Sequence, residues 1–264
     1  MALMHVQLYS SVLMRHVSLD VLTPMEMDGD DFPREHLWPT LYLLHGLSDD
    51  HSVWQRWSAL ERKLWGMPLA VVMPSTDRGF FTDMKYGAKY FTYLSEELPE
   101  KCEKLFHLSP DPRDRFAAGL SMGGYGAFKL GLRCPDRYAA VAGMSAGLDV
   151  CQATDSAFDY LGLMPDYSLI FGEPGEAVGG ENDLFALAER LIARGGAYPR
   201  FYLRCGTEDK LYQENKLFVE RFGTALGIDY RECPGSHEWS FWDEYIGDVL
   251  AWLPLREKLL PGRI

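Results

Sequence analysis

The chain has no C-x-x-C pair, and its five cysteines (Cys102, Cys134, Cys151, Cys205, Cys233) are scattered and odd in number. That excludes a disulfide framework and reads as reduced thiols, mostly buried as small hydrophobes. It has no basic excess either: 26 Lys and Arg stand against 38 Asp and Glu, a formal charge of −12. Such a balance argues against nucleic acid or an anionic membrane as partner and leaves small molecules. No apolar run nears the ~20 residues that span a bilayer. No basic n-region followed by an apolar h-region opens the chain, so a cytoplasmic protein is expected. Repeats, low-complexity tracts and linkers are missing too, and the 264 residues read as one domain with a substantial core.

What is present is a succession of strand-like runs: "HVQLYS", "HVSLDVL", "TLYLLHG", "LAVVMP", "RFAAG", "YAAVAGM", "RFYLRCG" and "YRECPG". The middle runs are almost continuously apolar, as parallel strands covered on both faces are. Helical patterns lie between them, over 54–64, 87–106, 123–134, 211–226 and 241–253. Two strands before any helix, then alternation, predict a mostly parallel eight-stranded sheet with an antiparallel start and helices on both faces. Residues 150–199, rich in Gly and acidic side chains ("FGEPGEAVGGEND"), break the rhythm and read as a cap-like insertion above the sheet edge.

The pattern G-x-S-x-G occurs twice, around Ser121 and around Ser145. A nucleophile elbow needs a strand, a sharp turn and a helix whose N-terminus faces the site. Ser121 has "RFAAG" before it and the helical "MGGYGAFKLGLRC" after it, with small Gly119 and Gly123 at the turn. Ser145 has a strand before it but turn and capping residues behind it, and reads as a small residue ending a core strand. Ser121 is therefore the expected nucleophile.

A serine hydroxyl needs a base, and the base needs an orienting acid. Downstream, "CGTEDKLY" ends a strand with Glu208 and Asp209, and "CPGSHEW" puts His237 in a loop after the next strand. Of the seven histidines only His237 follows both the serine and the acid. Asp209 is preferred as the acid, with Glu208 as the alternative. The oxyanion donors expected are the backbone N–H groups of Leu47, after His45-Gly46, and Met122. Trp54 and Trp239 are candidate walls of a small apolar pocket, with Trp57 and the stretch over 77–91 nearby. The "SDDH" cluster at 48–51 lacks further ligands and reads as a solvated loop, so no metal and no cofactor is expected.

Together, "LYLLHGLSDDHSVW", "YLSEELP", "AGLSMGGYGAFKLGLRCPDRY", "CGTEDKLY" and "GSHEWSFWDEYI" resemble the esterase D-like branch of the α/β-hydrolases over nearly the whole chain, closest to bacterial tributyrin esterases. The resemblance implies the α/β-hydrolase fold and a serine carboxylesterase acting on short-chain acyl esters. It carries the branch's serine, acid and histidine onto Ser121, Asp209 and His237, and its oxyanion amides onto Leu47 and Met122. S-formylglutathione hydrolase and feruloyl or acetyl-xylan esterase are the alternatives, with acyltransfer behind them. The branch also implies a possible homo-oligomer, dimer or tetramer. The likeness fades between Val150 and Pro199.

Overall fold

All eight runs form strands of one sheet. They are β1 (Ala2–Ser10), β2 (Arg15–Thr23), β3 (Thr40–Leu44), β4 (Ala70–Pro74), β5 (Arg115–Leu120), β6 (Ala140–Met144), β7 (Arg200–Gly206) and β8 (Asp229–Cys233). The computed structural model describes residues 1–25, 36–151 and 164–256. Across the sheet the order is β1-β2-β4-β3-β5-β6-β7-β8. β1 pairs antiparallel with β2, and β2 antiparallel with β4; every pairing from β4 through β8 is parallel.

Burial follows from the residues. β1 alternates half-buried and exposed side chains, as an edge strand with one wet face does. β3, β4, β5 and β6 are buried at every position, because helices cover both of their faces. In β3 the period of two sends Leu41 and Leu43 to one apolar layer, with Trp54 and Ile246. Tyr42 and Leu44 go to the other, with Leu98 and Phe128.

The helices are α1 (Val53–Trp57), α2 (Leu60–Lys63), α3 (Tyr90–Thr92), α4 (Leu98–Leu105), α5 (Met122–Arg133), α6 (Met164–Phe171), α7 (Leu184–Arg194), α8 (Tyr212–Leu226) and α9 (Trp239–Trp252). A π-helical turn at Tyr93–Glu97 joins α3 to α4. The single helix expected over 54–64 is divided: Ser58 is extended, and its hydroxyl donates to the Trp54 carbonyl at 2.6 Å, ending α1.

Part of the expected insertion, 152–163, lies outside the described residues. Within the rest, α7 begins at an Asp183 cap whose side chain accepts the Ala186 N–H. Leu184, Leu187, Ala188 and Leu191 form its buried stripe, and it packs on α5 and α8 as the crossover helix between β6 and β7. The Gly-rich, acidic stretch before it masked this helical period in the sequence.

Candidate active site

Parallel strands deliver loops to one edge of the sheet, at their C-terminal ends, where sites in α/β sheets form. Ser121 follows β5, Asp209 follows β7, His237 follows β8, and His45-Gly46-Leu47 follows β3. Residues far apart in sequence are thereby brought together.

Ser121 sits between β5 and α5 with φ 52° and ψ −116°, a strained backbone for a residue with a side chain. The turn is held from both sides: its N–H donates to the Met144 carbonyl at 2.9 Å, and its carbonyl accepts from Gly147 at 3.1 Å. A Cβ on Gly123 would lie 2.4 Å from the Leu44 carbonyl oxygen, so only glycine lets α5 approach β3 this closely.

His237 bridges the other two groups. Its Nε2 is 3.0 Å from Ser121 Oγ, and its Nδ1 is 2.9 and 3.0 Å from the two oxygens of Asp209. An ionised carboxylate only accepts, so Nδ1 carries the proton and Nε2 is left with a lone pair facing the serine hydroxyl. Burial pushes the Asp209 carboxyl up. Hydrogen bonds from His237 and from the Leu211 amide at 2.8 Å, with a smaller contribution from the Ser145 side chain, outweigh this and leave it below its ordinary value.

The alternative acid, Glu208, points elsewhere. It is exposed and accepts the Gly235 N–H, while its own N–H donates to the Gly235 carbonyl at 3.0 Å. It braces the loop that carries His237, a role the sequence did not suggest.

The oxyanion candidates are free to donate. Met122 is the first residue of α5, where helical N–H groups have no internal partner, and neither its amide nor that of Leu47 donates to another group among the described residues. Leu47 is oriented through His45. The buried imidazole accepts the Thr76 N–H at Nε2 (3.1 Å), so its Nδ1–H donates to the Gly46 carbonyl at 2.6 Å. That carbonyl and the Leu47 N–H belong to one trans peptide and point opposite ways. Burial lowers His45 to about 4, so it stays neutral.

A cavity of about 600 Å³ opens over Ser121 and His237. Its walls include Leu47, Leu120, Trp57, Trp239 and Trp242, with Asp49, Arg78 and Glu238 as charged members. Trp239 lines it. Trp54 does not: it is fully buried, its indole N–H donates to the Leu44 carbonyl at 3.2 Å, and it backs Trp239 edge-on with ring centroids 5.1 Å apart. Trp57, 59% exposed, takes the place on the rim. No residue of 164–199 lines the cavity, but Arg78 on its rim pairs with Asp166 of α6 at 2.5 Å.

The chain is similar to known proteins along nearly its whole length. The profile of the family described as "Putative esterase" matches residues 10–253. An acetyl esterase from Caldicellulosiruptor saccharolyticus is 29% identical over 262 residues, which span 96% of this chain and 98% of that protein. Two solved structures from Staphylococcus aureus are also similar. One is FphF, a fluorophosphonate-binding serine hydrolase, with a TM-score of 0.87 and 29% identity. The other is the S-formylglutathione hydrolase FrmB, with a TM-score of 0.80 and 28% identity. In both cases 96% of this chain and 98% of the other are covered. Among the described residues no helix is long and apolar enough to cross a membrane. With its profile match running from the first hairpin to the last helix, the chain belongs to this esterase family and has the α/β-hydrolase fold.

Proposed function

We propose that the protein is a serine carboxylesterase that hydrolyses short-chain acyl esters through an acyl-enzyme on Ser121. The observation that carries this reading is His237 standing within hydrogen-bond reach of Ser121 on one side and Asp209 on the other. His237 Nε2 takes the serine proton as Oγ adds to the ester carbonyl carbon. The oxygen that becomes negative is held by the N–H groups of Leu47 and Met122. The imidazolium, kept in place by the Asp209 carboxylate, returns its proton to the departing alcohol oxygen. Water then repeats the cycle on the acyl-enzyme and frees the acid and the serine.

The acyl preference draws on the cavity. Indoles and Leu120 wall it beside Ser121, which favours acyl chains of about two to six carbons, because each methylene beyond the limit overpacks. Turnover of p-nitrophenyl acetate, butyrate and octanoate measures this: acetate or butyrate should lead in kcat/KM, and a lead for octanoate would contradict the reading. A second reading, S-formylglutathione hydrolysis, draws on the likeness to FrmB and on Arg78 at the rim, a cation suited to an anionic leaving group. The acidic Asp49 and Glu238 beside it and the net charge of −12 favour the neutral ester. S-formylglutathione in the same panel discriminates, and hydrolysis orders of magnitude faster than any simple ester would favour the second reading.

A further inference from the structure

Ser145 stands at the end of β6, one strand over from Ser121, and is wholly buried, so it never meets substrate. Its backbone nevertheless adopts φ 47°, a strained conformation for a residue other than glycine. The strain is held from both sides. The Ser145 N–H donates to the Arg204 carbonyl at 2.7 Å, and the buried Asn215 side chain clamps the next residue, donating to the Ala146 carbonyl at 2.7 Å and accepting its N–H at 3.3 Å. Such a frame fixes where the Ser145 hydroxyl points.

That hydroxyl has one partner of consequence. It accepts the indole N–H of Trp242 at 3.1 Å. The same indole stands edge-to-face against the His237 ring, with centroids 4.9 Å apart and planes at 88°. The Ser145 side chain also helps, after His237 and the Leu211 amide, to hold the Asp209 carboxyl below its ordinary value. The Cys205 thiol, which burial raises, lies against the same hydroxyl.

We propose that Ser145 is a positioning residue for the reaction: its hydroxyl holds the Trp242 indole, and that indole packs edge-on against the His237 ring and keeps it in line with Ser121 and Asp209. The second G-x-S-x-G match is then a bracket for the relay and not a spare nucleophile. Without that hydroxyl the indole loses its hydrogen bond and the His237 ring loses a fixed wall, and small displacements of a catalytic base are costly: about 1 Å can lower a rate on the order of a hundredfold.

The inference rests on Ser121 as nucleophile, and the test separates the two. Ser145→Ala and Ser145→Gly are compared with the parent on p-nitrophenyl butyrate, with thermal unfolding as the control for folding. Glycine accepts the positive φ without strain, so Ser145→Gly carries the test where the alanine variant unfolds. The expected result is a fall in kcat of about tenfold or more with KM held within about twofold, since Ser145 lines no part of the cavity. The same substitution is then made in a Trp242→Phe background, which keeps an aromatic ring and removes the indole N–H. If Ser145 acts through the Trp242 indole, its effect there shrinks to less than about threefold. An unchanged kcat in the parent background, or an equal loss in both backgrounds, overturns the proposal. Wild-type turnover by Ser121→Ala would instead overturn the nucleophile assignment itself.

Discussion

Glu208 and Asp209 are neighbours with the same chemistry and different tasks, which makes them the sharpest pair at the scale of single residues. Asp209→Asn keeps the shape but allows the wrong tautomer of His237, so kcat should drop by about 10³ to 10⁴. Glu208→Gln still offers an oxygen to the Gly235 N–H and should lose less than about tenfold. Steady-state rates on a short ester compare the two, and the reverse order would move the acid to Glu208. His45 makes a different prediction, about stability. Its folded value, about 4, lies below its ordinary 6.5, so the unfolded chain takes up the proton first as pH falls. Stability is therefore full above 6.5 and is lost between 6.5 and about 4, by about 3 kcal/mol. Denaturant midpoints across this window should flatten in His45→Phe relative to the parent; identical slopes would show that His45 does not carry the effect. At this scale, the order serine, acid, histidine was legible because the fold fixes which strand ends come together. Burial and side-chain direction were not: Trp54, a candidate wall, lies fully buried behind Trp239.

Among elements, the unit that matters is β5, the turn at Ser121 and α5. The helix can start beside β3 only because residue 123 has no side chain. Gly123→Ala puts a methyl against the backbone of Leu44 and His45 and should destabilise the fold by about 3 kcal/mol, with kcat falling as the helix start moves off Ser121. Chemical denaturation with activity on the folded fraction measures both, and a neutral substitution would mean the turn relaxes freely. The eight strands were readable in the sequence because buried parallel strands are continuous apolar runs. The helix at Leu184–Arg194 was not, although its i, i+3, i+4, i+7 stripe is complete. The glycines and acids of 172–183 lead directly into its cap, and loop composition hid the period.

For the molecule as a whole, the net charge of −12 should tell in kinetics. An anionic substrate meets a repulsive field that salt screens, with a Debye length of about 10 Å at 0.1 M. Raising ionic strength should thus increase kcat/KM for S-formylglutathione and leave p-nitrophenyl butyrate nearly unchanged. A decrease for the thioester would show that Arg78 dominates the approach. Beneath all of these predictions lies the identity of the nucleophile, and a fluorophosphonate tests it most directly, since it phosphonylates an activated serine hydroxyl with loss of fluoride. After reaction and proteolysis, mass spectrometry should find a single adduct on Ser121, absent in Ser121→Ala, slowed in His237→Ala and suppressed by excess butyrate ester. An adduct on Ser145, or undiminished labelling of Ser121→Ala, would contradict the account.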